Sequence, residues 1–167
     1  RENKIGIQSS KPYFESSDTN PLAVYAKSKL EAEQVVADSS MILRISYPYR
    51  VQYAKGDFAR TIKKRLETGQ MVKTVTDSLF TPTHIDDIAS AIEYLIAHYS
   101  REVFHIVGSQ VLSPYDAAVT IAKQYNLDPS HITPTTFSEF FTGRALRPQY
   151  SDIRSKKNNF CTMRSFE

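Results

Sequence analysis

Between residues 22 and 126 helix-forming segments alternate with short apolar runs, and this alternation constrains the fold more than any other feature of the chain. Leu22 to Ala37 is rich in Ala, Lys, Leu and Glu and contains no Gly or Pro. Asn20 is a good N-cap and Pro21 at the first helical position gives up no hydrogen bond, so a helix is predicted to open there. Met41 to Tyr47 is a short apolar run ended by Pro48, which predicts a mostly buried strand. Gly56-Asp57 opens a second helix, with Phe58, Ile62 and Leu66 on one face and Gly69 as its stop. Met71 to Val75 predicts another strand. Thr83 to Asp86 begins a third helix, striped by Ile88, Ala89, Ile92, Leu95 and Ile96. Val103 to Val107 is a strand closed by Gly108, and Ser113-Pro114 caps a fourth helix carrying Ala117, Ala118, Ile121 and Ala122. Strands separated by crossover helices pair in parallel, so the fold class is α/β.

Composition narrows the function classes. With 41% hydrophobic and 23% charged residues over 167 positions, the chain has the make-up of a packed domain, not of a disordered tail. Cys161 is the only cysteine, which excludes an internal disulfide and a Cys-based zinc site and fits a cytoplasmic protein. No apolar run approaches the roughly 20 residues that a membrane-spanning helix needs, so no membrane partner is expected. The net charge of +3 suits a phosphate-bearing ligand but falls short of the clustered basic face of a nucleic-acid binder. Beyond Pro129 the pattern breaks into short Thr- and Phe-rich pieces, and Ser155 to Asn159 reads as a polar, exposed stretch.

Tyr25 and Lys29 stand four apart on the first predicted helix and so project from one face. A phenol with a pKa near about 10 is a poor acid–base group at neutrality, and an adjacent ammonium lowers that value by favouring the phenolate. Such a tyrosine can protonate a carbonyl oxygen as a hydride reaches its carbon, and take the proton back in reverse. The spacing alone is equally that of an ordinary exposed Tyr/Lys pair.

The surrounding residues carry more. Pro12-Tyr13-Phe14-Glu15, Asp18-Thr19-Asn20-Pro21, Tyr25-Ala26-Lys27-Ser28-Lys29 and Glu33 resemble the PYxE…D…nPxxxYgxSKxxgE segment of the extended short-chain dehydrogenase/reductase family. Ile42-Leu43-Arg44-Ile45-Ser46 resembles its hRxS strand. Asp77, with Thr81-Pro82-Thr83-His84-Ile85-Asp86-Asp87-Ile88-Ala89, resembles its D…tPThvdDlA segment, and Arg147-Pro148 with Ser151 its RP..S element. Within that family the similarity is to the dTDP-4-dehydrorhamnose reductase-like proteins, over about residues 12 to 160.

The resemblance implies an NAD(P)-dependent oxidoreductase of cytoplasmic dTDP-rhamnose biosynthesis that reduces a 4-keto nucleotide sugar, with NADP or NAD as cofactor. Tyr25 would protonate the sugar C4 oxygen, and Lys29 would hold the nicotinamide ribose and depress the Tyr25 pKa, so both would also touch the cofactor. Ser46, Tyr47 and Pro48 would lie at the nicotinamide end of the cleft, and Arg147 would reach the substrate diphosphate; the alternative for Arg147 is a surface ion pair. The expected architecture is the C-terminal part of a Rossmann-like NAD(P)-binding fold plus a small α/β substrate-binding domain. Residues 1–55 would be the remnant of the dinucleotide-binding domain, and 56–167 mainly the substrate domain, with the strand at about 103–107 returning to the main sheet. A nucleotide-sugar epimerase or dehydratase of the same family, or a non-catalytic binding subunit with its fold, would share these features.

The chain departs from the family pattern in three places. Its five glycines (Gly6, Gly56, Gly69, Gly108, Gly143) form no GxxGxxG or GxGxxG phosphate loop. The family's catalytic Ser/Thr would fall at or before Arg1. Ala26 replaces the Gly after the Tyr, and Tyr49-Arg50 stands where the family has a YG-type ending. The expectation is therefore a fragment that neither binds NAD(P)H tightly nor turns over alone. Its implied partners are a nucleotide-sugar substrate, the missing N-terminal Rossmann portion and a second copy in a homodimer.

Other candidates have plainer explanations. His84, Asp86 and Asp87 fit a helix N-terminus, with Thr83 capping it through Asp86, better than they fit a metal, and none is expected. His105 alternates within a strand and should be packed or hydrogen-bonded. Lys156-Lys157 beside Arg154 fits a solvated tail or a phosphate contact. Tyr47, Tyr49 and Tyr53 fit ordinary packing or a stacking platform.

Overall fold

In the computed structural model, residues 11–50 and 56–166 are described. Four short parallel ladders organise the chain. Strand β1 (Ile42–Ile45) pairs with β6 (Val103–Ile106), from Ile42↔Val103 to Ile45↔Ile106. Strand β2 (Pro48–Tyr49) pairs with β5 (Thr83–His84), β3 (Val72–Val75) with β7 (Ile132–Thr135), and β4 (Leu79–Phe80) with β8 (Tyr150–Ser151). Among the described residues, helix α1 (Val24–Val36) precedes β1, and α2 (Phe58–Glu67), α3 (Ile85–Ala97), α4 (Pro114–Gln124) and α5 (Phe137–Phe141) run between successive strands. The predicted alternation and the parallel pairing are both present.

Helices α2 and α4 start where their caps direct. Asp57 accepts a hydrogen bond from the Arg60 amide, and Ser113 with Asp116 forms a reciprocal capping box below Pro114. Helix α1 does not follow its signal. It begins at Val24 with Ala23 as N-cap and no side-chain cap, so Asn20-Pro21 belong to the preceding loop. Helix α3 is capped by His84, whose Nδ1 accepts from the Asp86 amide. Thr83 is instead buried in β5, and its Oγ1 accepts from the Gly108 amide at 3.1 Å.

Apolar contacts form three clusters. Leu66, Val72, Ala118, Ala122 and Ile132 join α2, α4 and the β3–β7 ladder, where the alanines of α4 let the layers close. Tyr49, Phe80, Leu112, Ile121 and Phe166 extend this core. Ile88, Ala91, Leu95, Phe104 and Ile106 seal α3 onto β6. Gly108 is required where β6 ends, since a Cβ there would stand 2.1 Å from the Pro82 carbonyl oxygen.

The C-terminal segment is a strap, not a free tail. Buried Asp87 accepts from the Arg164 amide at 2.9 Å and from its guanidinium at 2.8 Å, and Phe166 packs against Tyr49. Ser155–Asn159, expected to be exposed, is partly buried and hydrogen-bonded to Glu15. Lys157 pairs with Glu102, Arg154 with Asp152, and the Lys156 ammonium lies 4.6 Å from the Phe14 ring. The stretch is tethered at one end and only partly solvated, with Lys156 and Asn159 exposed. The weak pattern after Pro129 concealed β7, in which Ile132 and Thr135 are buried while Thr133 and Pro134 between them are exposed, so no alternation marks the strand.

Candidate active site

Tyr25 and Lys29 lie one turn apart on α1, with the ammonium 5.7 Å from the phenol ring centre. Tyr25 is 74% exposed, and it does not line either of the two larger cavities. At the end of β1 the chain turns sharply. Ser46 is buried with its hydroxyl lacking a hydrogen-bond partner among the described residues. Tyr47 has φ of 40°, a left-handed conformation that a bulky residue adopts only where its surroundings impose it. Those surroundings are aromatic, because the Tyr47 ring stands edge-on to Phe80 at 4.8 Å and to Phe58 at 6.3 Å. Pro48 then enters β2 opposite Thr83.

Tyr47 and Arg147, far apart in sequence, line one cavity of about 520 Å³. Phe58 and Ile62 of α2, all of β3, Phe80, and the segment from Phe137 to Gln149 complete it. Four cations border this space: Arg65, Lys73, Arg144 and Arg147; none of the described lining residues is a carboxylate. Two of the guanidiniums are backed by aromatic faces, Arg144 at 4.8 Å from the Phe140 ring and Arg147 at 5.9 Å from Phe141. An apolar-walled cavity with a one-signed positive border attracts a ligand that is part planar and part anionic.

A second cavity of about 240 Å³ lies beside it, lined by the loop from Tyr13 to Leu22, by Arg44 and His105, and by Pro148, which borders both spaces. Glu15 holds that loop in place. Partial burial works against its charge, yet hydrogen bonds from the Ser155 hydroxyl and from the Lys156 and His105 amides prevail and bring its pKa down to about 2. His105 is buried and bonds through Nδ1 to the Arg154 carbonyl at 2.9 Å; desolvation pushes its pKa down, which keeps the ring neutral.

The predicted residues thus fall into two groups. Tyr47 and Arg147 share the large cavity, whereas Tyr25 and Lys29 stand together on a helix that borders neither space. Sequence reasoning missed Arg65, Lys73 and Arg144. For Arg144 a signal existed in the run from Phe137 to Arg147, whose Phe137, Phe140 and Phe141 share a helical face, but nothing local marks Arg65 or Lys73. Tyr53 lies outside the described residues. Tyr49 is packed in the core, and His84, Asp86 and Asp87 are taken up by the α3 cap and by pairs with Arg50 and Arg164. No helix among the described residues is long and apolar enough to cross a membrane.

The family model described as the RmlD substrate binding domain matches residues 6–165. The spore coat polysaccharide biosynthesis protein SpsK of Bacillus subtilis is 30% identical over 143 residues, covering 84% of this chain and 49% of that protein. The dTDP-4-dehydrorhamnose reductase of Mycobacterium tuberculosis is 30% identical over 152 residues, covering 88% of this chain and 49% of its own length. Bovine methionine adenosyltransferase 2 subunit beta is 30% identical over 138 residues, covering 76% of this chain and 41% of that subunit. Among solved structures, the dTDP-4-dehydrorhamnose reductase of Bacillus anthracis in complex with NADP superposes with a TM-score of 0.82 at 26% identity, over 93% of this chain and 56% of that one. The chain spans about half the length of the curated relatives it matches. A match over nearly every residue, on an α/β fold shared with these reductases, makes the chain a member of the RmlD substrate-binding family within the extended short-chain dehydrogenases/reductases.

Proposed function

We propose that this chain is the substrate-holding and proton-donating part of an NAD(P)-dependent reductase that acts on a 4-keto nucleotide sugar. The observation that carries this reading is the cavity of about 520 Å³ bordered by Tyr47 and Arg147, with four cations, aromatic walls and no carboxylate among its described lining residues. A nucleoside diphosphate has the matching parts: a planar base for the phenyl faces and two phosphates for the guanidiniums.

The residues present fit one end of the dinucleotide cofactor. The unpartnered Ser46 hydroxyl and the left-handed turn at Tyr47 suit a nicotinamide packed on the end of β1, and Lys29 suits its ribose. This sequence has no glycine loop to receive the pyrophosphate. When bound, the cofactor supplies the hydride. The work of this chain is then to bind the diphosphate through Arg147 and its neighbours and to hold a proton on the Tyr25 hydroxyl for the C4 oxygen.

The test is NADPH consumption by the full-length protein with dTDP-4-dehydro-6-deoxy-L-lyxo-hexose. Stoichiometric, substrate-dependent consumption is expected. Product formed without net consumption would replace the reductase by an epimerase or dehydratase. Bound NADPH with no turnover would favour the second reading, a binding subunit that uses the same fold, which the similarity to a methionine adenosyltransferase beta subunit supports.

A further inference from the structure

Asp77 takes no part in the chemistry above, yet it occupies a singular place in the topology. Strands β3 and β4 are joined by a turn of residues 76–78, whereas their parallel partners β7 and β8 are joined by residues 136–149. The short turn therefore faces both feet of the long excursion, which carries α5, Arg144 and Arg147. Asp77 joins those feet. Its Oδ1 accepts from the amide of Phe137, the first residue of α5, at 2.6 Å. Its carbonyl and its Oδ2 accept from the Gln149 side-chain amide at 2.7 and 3.4 Å. Because Arg144 and Arg147 rest on the rings of Phe140 and Phe141, the placement of α5 sets the placement of both guanidiniums.

We propose that Asp77 is a positioning residue: by tying Phe137 to Gln149 it holds the aromatic and cationic wall of the large cavity in the geometry that receives the substrate anion. This rests on the reading of that cavity as the nucleotide-sugar site. Losing a charge-assisted hydrogen bond at an exposed tie costs about tenfold in an equilibrium that depends on it.

The experiment uses the full-length protein, with dTDP as the calorimetric probe and steady-state kinetics alongside. Asp77→Ala is expected to raise the dTDP dissociation constant and the KM by about tenfold with kcat unchanged, and to speed exchange of the Phe137 amide. Asp77→Asn keeps an acceptor for that amide and should recover most of the affinity. Gln149→Ala cuts the tie at its other foot and should act in the same direction, which keeps the test intact if Asp77→Ala fails to fold. Arg147→Ala separates the two levels of the argument. If it weakens dTDP binding while the Asp77 and Gln149 variants bind as wild type, the positioning role is overturned and the cavity reading stands. If all of them bind as wild type, or the wild type binds no dTDP, the cavity reading falls and the role of Asp77 with it.

Discussion

Helices α1 and α4 are of similar length, 13 and 11 residues, and opposite in circumstance. Helix α4 carries a complete capping box and buries Ala117, Ala118, Ile121 and Ala122 against α2 and the β3–β7 ladder. Helix α1, which bears Tyr25 and Lys29, has no side-chain cap and no buried residue, and its Val24 and Val35 are more than four-fifths exposed, at 83% and 84%. The region around the large cavity is thus built by this chain's own packing. The helix with the candidate acid–base pair is held mainly by its ends, through the Arg44–Glu33 ion pair and the loop that Glu15 secures. The wall of the large cavity and the helix with the Tyr25–Lys29 pair are thus supported in different ways, and only the former belongs to a packed core.

The largest expected effect falls on α1 and tests whether it has the chemical role. In the full-length protein, Tyr25→Phe should lower kcat by about 10²–10⁴-fold with little change in KM, the loss typical of a removed general acid. A variant with wild-type turnover would leave α1 without its distinction and make the exposed Tyr/Lys pair an ordinary one.

Next comes the energetic contrast. Leu95, 2% exposed on the buried face of α3, should cost about 2–5 kcal/mol when cut to alanine, because the cavity left behind adds to the lost burial. Val35→Ala on α1 should change stability by less than about 0.5 kcal/mol in this chain. Urea denaturation measures both. Equal losses would mean that α1 is as firmly packed as α3, which contradicts the contrast.

The smallest effect concerns the tie between the regions. The Glu15 carboxyl titrates near about 2 in the fold against an ordinary value of 4.5, so it stabilises the folded state above that ordinary value and loses this contribution as pH falls from 4.5 toward 2. Glu15→Gln should remove that part of the acid limb of the stability curve while lowering stability at neutral pH. An unchanged acid limb would show that the Glu15 hydrogen bonds do not hold the loop before α1 to the C-terminal strap.

Local rules wrote much of the fold openly. The apolar period of α2, α3 and α4, the Ser113-Pro114 start and the strands at Ile42–Ile45, Val72–Val75 and Val103–Ile106 follow from residue spacing and cap chemistry. Local signals misled where a distant partner took the side chain. Thr83 looks like an N-cap, but its hydroxyl is claimed by the Gly108 amide, so His84 caps α3. Asn20-Pro21 has the form of a helix start, but the chain there is a loop in which Asn20 and Leu22 line the second cavity, and α1 begins at Val24. Ser155–Asn159 is polar in composition and looks solvated, yet Glu15 binds it from the far end of the chain. Of the candidate site, Tyr25 and Lys29 were visible because a helical turn alone brings them together. Arg65, Lys73 and Arg144 were not, because their convergence depends on the β3–β7 pairing, which joins segments about sixty residues apart.

The sequence by itself determined the α/β class, the family resemblance and the Tyr25–Lys29 pair, since periodicity, capping and i, i+4 geometry act within a few residues. Tertiary structure alone decided that Arg147 meets Tyr47 across one positively bordered cavity, that Asp77 clasps both feet of its wall, and that α1 remains outside the core. Each of these depends on which strands pair and which faces are covered, and those are settled by burial and hydrogen bonding between distant segments.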